Sequence, residues 1–324
     1  MREVAIVGAG MTRFGELWQS SLRQLFADAA IEAMKHAGAD HLDGLYVGNM
    51  SAGGFVAQEH LGPLMTAEIG MAGVPATRVE SACASGGAAL RAAYLEVASG
   101  ASDLVMAAGV EKMNDGAEVT DVLAFASDQE LEAYHGITFP GLYAMIARAH
   151  MAKHGTTEED MAWVSVKNHR HGAMNPKAQF GREVTAEQVL GSSLVAEPLR
   201  LLQCSPVSDG GAAVLLCPLD QAKNFTDRPV QIVGAGSATG TLTLAERKDP
   251  AFLDAVKLSG ERAYEAAGVG PADIDVAEVH DASRSPRSAA SRRSASSSPA
   301  RGAPPLARGS RRWAARSRSI PAGA

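Results

Sequence analysis

Apolar residues recur along most of the chain with the spacing of alternating strands and helices. The continuous apolar run VAIVGAG at 4–10 predicts a short strand that ends in a glycine turn. The apolar positions of 21–36 follow helical spacing and predict a helix that stops at Gly38. Further elements are predicted in three places, namely strands over 45–47 and 104–108 and a helix over 89–97. This alternation predicts an α/β fold with a largely parallel or mixed sheet.

The opening strand pattern occurs a second time. VAIVGAG at 4–10 reappears as VQIVGAG at 230–236, and each copy is followed by a helical pattern, an Ala-Gly pair and an acidic turn. The second copy predicts a helix over 253–266 and a strand over 276–279 at a nearly constant offset from the first copy. We interpret the repeat as a duplicated α/β fold with pseudo-twofold symmetry, whose second half is incomplete because the pattern stops near Ser283.

Composition excludes several classes of protein. The chain has 324 residues, 46% of them apolar, and only three Cys, which excludes a small disulfide-stapled domain. No apolar run approaches the ~18 residues that a membrane-spanning helix needs, so no membrane association is predicted. The N-terminus enters a strand pattern without the features of a signal peptide, and the predicted location is the cytoplasm.

Charge divides the chain into an acidic body and a basic tail. Residues 284–324 contain ten Arg and no acidic residue, so residues 1–283 carry 20 Lys and Arg against 36 Asp and Glu, a net charge of −16. The tail is almost wholly Arg, Ser, Ala, Pro and Gly, and we predict that it is disordered. Nucleic-acid binding by these Arg is not favoured, because the body is acidic and Trp313 is the tail's only aromatic residue.

The glycine-rich stretch GAGMTRFG at 8–15 does not predict a dinucleotide site. Arg13 stands where the GxGxxG fingerprint requires glycine, and no acidic residue ends the next strand at the expected spacing. The repeat places a second Gly-Ala-Gly at 234–236, which favours a structural turn used twice.

Cys83 is the strongest candidate for chemistry. It lies in SACASGGAAL at 81–90, between an extended segment at 76–80 and a predicted helix. The positive end of a helix dipole favours a thiolate, and the small neighbouring residues give a bulky thioester room to approach. The alternative is a buried structural cysteine, which is the interpretation that we give to Cys204 and Cys217.

The motif around Cys83 resembles the nucleophile motif of thiolases, in particular the archaeal and actinobacterial acetyl-CoA acetyltransferase and sterol-carrier-protein-type branch. Several further segments resemble the same branch in the same order, namely GVEKM at 109–113, TFPGLY at 138–143, NPKAQF at 175–180, SPVSDGGAA at 205–213 and EVHDA at 278–282. The resemblance covers about residues 1 to 283.

The resemblance implies a thiolase-like duplicated βαβαβαββ fold with an inserted loop domain that binds coenzyme A. It predicts an N-terminal half at 1–113 plus about 201–228, with an insertion at 114–200. The start of a C-terminal half follows at 229–283, and the tail at 284–324. It also implies a homodimer or homotetramer. Partners in this branch include a DUF35-type zinc-ribbon/OB-fold protein and a hydroxymethylglutaryl-CoA synthase.

The resemblance also implies roles for three residues. Cys83 matches the nucleophile that accepts the acyl group, and His280 matches a residue of the oxyanion hole for the thioester carbonyl. Ser205 matches a residue beside the pantetheine chain of the substrate. Coenzyme A enters as the thioester substrate, and neither a permanently bound cofactor nor a metal is predicted.

Other polar residues of the insertion leave two interpretations open. His150 and His154 have the i, i+4 spacing of helical metal ligands, but no third ligand is evident. Tyr134 and His135 either line an acyl tunnel or are packed. The segment HRH at 169–171 either meets the phosphates of coenzyme A or forms a solvated polar face.

The pattern of the family breaks inside a motif. Ala282 and Ser283 follow Asp281 where the family reads x-Phe, and the sequence contains neither Gly-His-Pro nor Cys-x-Gly, the motifs that carry the base and the second acid. We therefore expect impaired activity, with a non-catalytic scaffold that binds CoA esters or partners as the alternative. We further expect that the tail is an out-of-frame read of a thiolase gene, which translation of the same DNA in the other two frames tests.

Overall fold

A computed structural model describes residues 1–281 of the chain. The predictions for the tail at 284–324 lie outside the described residues. Within the described part, no helix combines the length and apolar character that crossing a membrane requires.

The described chain forms a mixed α/β structure, as the alternating pattern predicts. The strands are β1 (Val4–Met11), β2 (Gly44–Gly48), β3 (Ala76–Val79), β4 (Val105–Glu111), β5 (Leu194–Ala196), β6 (Leu199–Arg200), β7 (Gly210–Pro218) and β8 (Val230–Ile232). The helices are α1 (Leu22–Ala37), α2 (Ala52–Val56), α3 (Leu61–Glu68), α4 (Ser85–Ser99), α5 (Val119–Ala124), α6 (Phe139–His154), α7 (Glu158–Ala173), α8 (Ala186–Leu190) and α9 (Asp254–Ala267).

One six-stranded sheet organises the fold, with the strand order β3-β2-β4-β7-β1-β8. β2 runs parallel to both β3 and β4, whereas β7 is antiparallel to β4 and β1, and β8 is antiparallel to β1. The larger core packs α1 and α3 against one face of the sheet, and a smaller core packs α4 against the other. This sheet brings the carboxyl ends of three parallel strands to one edge.

α1 forms where its apolar spacing predicts. Ser21 caps it with a capping box to Gln24, and Gly38 ends it in the left-handed conformation. Its apolar residues face the sheet and are buried, which includes Leu25, Phe26 and Ala30.

The glycines after the first strand pattern do not form the predicted turn. β1 continues through Gly8 and Gly10 to Met11, because it pairs with β7 over this stretch, and α1 packs closely against it. A Cβ at Gly8 would overlap the carbonyl oxygen of Ala33, and one at Gly10 would overlap that of Ala29. These glycines therefore allow a close approach between strand and helix. β4 likewise continues past Gly109 to Glu111, because it pairs with β7 along its whole length.

The second copy of the repeat makes the same close contact. A Cβ at Gly234 would lie 2.5 Å from the carbonyl oxygen of Ala263 in α9, and one at Gly236 would overlap the carbonyl oxygen of Ser259. Gly268 ends α9 in the left-handed conformation, as Gly38 ends α1. The shared packing supports a structural duplication.

The strand predicted over 276–279 is wrong for the described structure. These residues follow a short 3₁₀ turn and have no regular secondary structure and no strand pairing among residues 1–281. Val276 is 81% exposed. An alternating apolar pattern becomes a strand only beside another strand, and the described part of the chain supplies none there.

The segment at 114–200 is mostly helical and packs on its own small cores. One core joins Ala144 and Ala147 of α6 to Met161 of α7 and Leu199. The other joins α7 to the residues around α8. The division of the chain into halves and an insertion stays a prediction.

Candidate active site

The candidate site lies where the parallel strands end. The carboxyl ends of β2, β3 and β4 meet at one edge because the three strands are parallel neighbours. Asn49 follows β2, Cys83 follows β3 after a short loop, and Glu111 is the last residue of β4. Ligands of α/β proteins commonly bind outside this edge of a sheet.

Cys83 lies in a tight turn between strand and helix, as its sequence context predicts. β3 leads into a 3₁₀ turn at Ala82–Ala84, and α4 begins at Ser85. The Ser85 hydroxyl accepts a hydrogen bond from the N–H of Ser81 at 2.9 Å and donates one to the carbonyl of Ala82 at 2.6 Å. Ser85, the first residue of the following helix, thus stabilises the turn. Cys83 is exposed on this turn.

The backbone of this turn is strained at Ala82, whose φ is 45°. A residue with a Cβ is disfavoured in this left-handed region by a steric clash. The strain lies directly before the candidate nucleophile, which is common where the backbone must present a side chain outward.

The thiol of Cys83 does not have the lowered pKa that its place before a helix suggests. Although the Cys83 side chain is exposed, nearby protein partly removes water from its sulfur and raises the pKa of Cys83 above its ordinary value. The backbone N–H of Cys83 opposes this shift, and the negative charge of Glu111 adds to it. Desolvation and a neighbouring carboxylate both disfavour a thiolate, so the expectation of an activated thiolate is wrong in the described structure.

Glu111 is a site residue that sequence reasoning did not single out. One carboxylate oxygen accepts hydrogen bonds from Asn49 Nδ2 at 2.9 Å and from the N–H of Ser51 at 3.3 Å, and the other accepts one from the N–H of Met50 at 2.8 Å. Burial raises the pKa of Glu111, although these donors and Arg78 act against it. The only signal in the sequence is its place in GVEKM at 109–113.

Tyr143 connects Cys83 to the last described residues. It is a half-buried residue of α6 that interacts electrostatically with Cys83, Arg247 and Asp281, and burial raises its pKa to about 12. Its hydroxyl is therefore neutral near pH 7. The side chains of Cys83, Arg247 and Asp281 thus share one neighbour.

The fold brings Ser205 into contact with the residue that follows His280 in the chain. The Ser205 hydroxyl donates a hydrogen bond of 2.9 Å to the carbonyl of Asp281, the residue after His280. The side-chain amide of Asn168 donates to the carboxylate of Asp281. Both His280 and Ser205 are exposed. The structure thus brings Ser205 into contact with the residue after His280, while Cys83 and Asp281 share Tyr143 as a neighbour.

The remaining polar candidates are mostly engaged in packing. His150 is buried and its Nδ1 lies 3.0 Å from the hydroxyl of Thr156, while its ring lies 4.6 Å from that of His154. His169 is buried and stacks on Phe180. Within residues 1–281, no cluster of three or more His, Cys, Asp or Glu is arranged to hold a metal ion.

The predictions for Tyr134 and for the two remaining cysteines have different outcomes. Tyr134 is 84% exposed, so it is not packed. Cys217 is buried in the sheet, and burial raises its pKa to about 11, which confirms its interpretation as a structural cysteine. Cys204 is half-buried beside the α6–α7 core.

A buried ion pair anchors the loops on the other side of β4. Lys112 Nζ lies 2.7 Å from a carboxylate oxygen of Asp209, and both side chains are at most 1% exposed. Lys112 also donates to the carbonyl of Leu17 at 2.9 Å and pairs with Asp115 at 2.8 Å. The second oxygen of Asp209 accepts from the N–H of Met113 at 2.7 Å. Asp209 belongs to the segment SPVSDGGAA, but its role was not evident from the sequence.

Comparison with protein families identifies two regions of the chain. The family described as "Thiolase, N-terminal domain" matches residues 4–220, and "Thiolase C-terminal domain-like" matches residues 236–287.

Two curated relatives support the same assignment. The chain is 52% identical over 283 residues to "Acetyl-CoA acetyltransferase" of Methanothermobacter thermautotrophicus, which covers 87% of this chain and 74% of that protein. It is 31% identical over 302 residues to "Sterol carrier protein 2" of Homo sapiens, which covers 87% of this chain and 54% of that protein.

Two solved structures share the fold. The structure described as "Ltp2-ChsH2(DUF35) aldolase" has a TM-score of 0.77 and 27% identity, and covers 89% of this chain and 75% of that one. Human mitochondrial 3-ketoacyl-CoA thiolase in complex with CoA has a TM-score of 0.70 and 19% identity, and covers 90% of this chain and 82% of that one. The resemblance in the sequence motifs is thereby confirmed.

Proposed function

The chain belongs to the thiolase family, and we propose from this premise that it is an acyltransferase that acts on acyl-CoA thioesters through a covalent intermediate on Cys83. The observation that carries the proposal is the exposed thiol of Cys83 on a strained turn at the carboxyl edge of the sheet. The 52% identity to an archaeal acetyl-CoA acetyltransferase supports acetyl-CoA and acetoacetyl-CoA, or another 3-ketoacyl-CoA, as substrates.

The proposed first step transfers the acyl group to sulfur. The Cys83 thiol loses its proton to a base, its sulfur attacks the thioester carbonyl, and the carbon–sulfur bond to coenzyme A breaks. The electron pair of that bond and one proton go to the departing sulfur of coenzyme A. Because the pKa of Cys83 is raised rather than lowered, this step needs a base in the loaded site rather than a thiolate formed in advance.

His280 is proposed to stabilise the negative charge that develops on the thioester oxygen. A donor aimed at a developing oxyanion typically contributes about 3 kcal/mol to the lowering of the barrier. Support comes from Ser205 and Asn168, which both hydrogen-bond Asp281 and so restrain the residue next to His280. Ser205 is proposed to lie beside the pantetheine chain, where its exposed position leaves room for a substrate.

Impaired turnover is a further part of the proposal. The 324 residues contain neither Gly-His-Pro nor Cys-x-Gly, the motifs that carry the base and the second acid in the family. Groups that act as a unit in catalysis lose most of the rate when one is removed. We expect slow acylation of Cys83 and slower transfer to a second substrate.

The assembly and setting of the protein are proposed from the same membership. A homodimer or homotetramer, a cytoplasmic location and a role in lipid metabolism follow from the family resemblance. The likeness to a structure described as "Ltp2-ChsH2(DUF35) aldolase" supports a DUF35-type protein as partner. A hydroxymethylglutaryl-CoA synthase is the second proposed partner, and residues 114–200 are the proposed CoA-binding insertion.

Intact-mass measurement after incubation with acetyl-CoA or acetoacetyl-CoA tests the covalent step. We expect a single acetyl adduct that maps to Cys83, is absent in Cys83→Ala and persists in the matched control Cys204→Ala. Absence of any adduct on the wild-type chain would contradict covalent catalysis.

The alternative function is a non-catalytic scaffold that binds CoA esters or protein partners. The missing motifs favour this alternative. It predicts that binding of acetyl-CoA, measured by calorimetry, survives Cys83→Ala while no adduct forms on the wild-type chain. An adduct on Cys83 excludes it.

A further inference from the structure

The half-buried carboxylate of Glu111 has no part in the steps above, although it lies at the end of β4 and its charge acts on Cys83. It holds three donors of the loop after β2, from Asn49, Met50 and Ser51. Three N–H donors and no hydroxyl point at this carboxylate, an arrangement that suits its ionised form. A half-buried carboxylate with three donors from one segment restrains the segment that supplies them.

The loop is fixed from its other side as well. Asn49 is 1% exposed, its amide nitrogen donates to the carbonyl of Val110 at 2.8 Å, and its amide oxygen accepts from the N–H of Ala52 at 2.9 Å. Arg78 of β3 donates to the carbonyl of Met50 at 2.8 Å. The backbone N–H groups of the loop therefore donate to Glu111, while the carbonyl of Met50 accepts from Arg78.

The strand that leads into this loop packs directly against the first residue of the helix that follows the nucleophile turn. A Cβ at Gly48, the last residue of β2, would lie 2.6 Å from the backbone carbonyl of Ser85. Ser85 in turn holds Ser81 and Ala82 through its hydroxyl. A displacement of the loop would therefore be transmitted to the turn, because close-packed backbones leave no space to absorb it.

Resting on the proposed function, we propose that Glu111 is a positioning residue for the acylation of Cys83, because it locks the loop at 49–51 against the nucleophile turn and places a fixed negative charge within electrostatic reach of the sulfur. A negative charge disfavours the thiolate relative to both neutral forms of the sulfur, the free thiol and the acyl thioester.

The groups that act on the Cys83 sulfur come from several elements. Glu111 of β4 raises the pKa of Cys83 after desolvation, and the backbone N–H of Cys83 lowers it. Tyr143 of α6 interacts electrostatically with Cys83, and also with Arg247 and Asp281. Glu111→Gln removes the charge of Glu111 and leaves the chemical identity of all the other groups unchanged.

The test combines Glu111→Gln with the matched control Glu59→Gln. Glu59 is an exposed carboxylate that pairs with Arg78, the residue that also donates to the carbonyl of Met50 in this loop. The first readout is the pH dependence of Cys83 alkylation by iodoacetamide, followed by peptide mass. The second is the rate at which acetyl-CoA acetylates Cys83.

We expect Glu111→Gln to move the alkylation midpoint to lower pH and to slow acetylation about tenfold or more, because a small misplacement of a reacting group has large effects on rate. Glu59→Gln should leave the midpoint in place and change the rate less than about twofold. An unchanged midpoint in Glu111→Gln overturns the proposal, whatever happens to acetylation.

A second variant keeps the test decisive if Glu111→Gln fails to fold. Glu111→Asp retains the charge but shortens the side chain, so we expect a midpoint close to wild type with slower acetylation. A wild-type acetylation rate in Glu111→Asp overturns the positioning role. Because alkylation does not require acyl transfer, it tests Glu111 even if the wild-type chain forms no acetyl adduct and the proposed function fails.

Discussion

At the scale of single residues, the backbone of Ala82 determines how Cys83 is presented. Its φ of 45° turns the chain between β3 and α4 and leaves the next side chain exposed. The Ser85 hydroxyl stabilises this turn through Ser81 and Ala82. The reactivity of Cys83 thus depends on backbone geometry as much as on the thiol itself.

Two substitutions at Ala82 should show whether the left-handed backbone conformation is strained by the presence of a Cβ. Ala82→Gly retains the left-handed backbone without a Cβ clash, so we expect little change in stability. Ala82→Val adds a branched side chain at positive φ and should destabilise the fold by about 1–3 kcal/mol. Chemical denaturation measures both effects, and acetyl-adduct formation should fall only in Ala82→Val. Equal stability of the two variants would contradict the strained turn.

At the scale of elements, the repeated Gly-Ala-Gly serves helix packing. In both copies the glycines lie where a Cβ would overlap a carbonyl oxygen of the following helix, such as Ala29 for Gly10 and Ser259 for Gly236. The two helices end at matching glycines, Gly38 and Gly268. One packing device is thus used twice, as expected for duplicated units that bury a helix on a strand.

Two glycines of the second copy should respond in opposite ways to alanine. Gly236→Ala forces the segment away from α9 and should destabilise the protein by about 1–3 kcal/mol. Gly260→Ala lies within α9, where no heavy atom lies within 4 Å of the new Cβ. It should stabilise by about 0.5–1 kcal/mol through helix propensity. Thermal unfolding of the two variants checks this contrast, and a shift in the same direction for both would contradict the packing role.

At the scale of the whole molecule, Lys112 and Asp209 join segments that are distant in sequence. The pair connects the end of β4 to the start of β7 and to the loop before α1 through Leu17. Burial alone would raise the pKa of Asp209, but Lys112 and backbone N–H groups outweigh it, and the pKa of this carboxyl is lowered. The pair therefore stabilises the arrangement of loops that flank the sheet edge.

Removal of the Asp209 charge should destabilise the whole molecule. Asp209→Asn leaves the buried ammonium of Lys112 without its innermost partner, which typically costs about 3–5 kcal/mol. Asp115→Asn, which removes the more exposed partner of the same lysine, should cost less than about 1 kcal/mol. Urea unfolding at pH 7 compares the variants, and equal losses would contradict a special role for Asp209.

The same pair predicts a dependence on pH. The folded-state pKa of Asp209 lies below its unfolded value of about 4, so its contribution is complete above that pH and is lost as pH falls through the folded value. The stability difference between wild type and Asp209→Asn should therefore shrink progressively below about pH 4. A difference that stays constant down to pH 2 would contradict this linkage.

The sequence by itself determined the class of fold, the family and most of the regular elements. Local signals were sufficient for α1, since Ser21 and Gly38 mark its ends and its apolar face has helical spacing. Cys83 was evident because its motif combines a nucleophile with small neighbours before a helix. These properties depend on residues close together in the chain.

Only the tertiary structure decided the properties that depend on distant neighbours. Gly8 continues a strand because that strand pairs with β7 while a helix packs against it, and 276–279 is not a strand because the described chain offers it no partner. The pKa of Cys83 rises because folding partly removes water from its sulfur and brings the charge of Glu111 within reach of it. Burial and electrostatic potential are sums over residues remote in sequence, and folding alone brings those residues together.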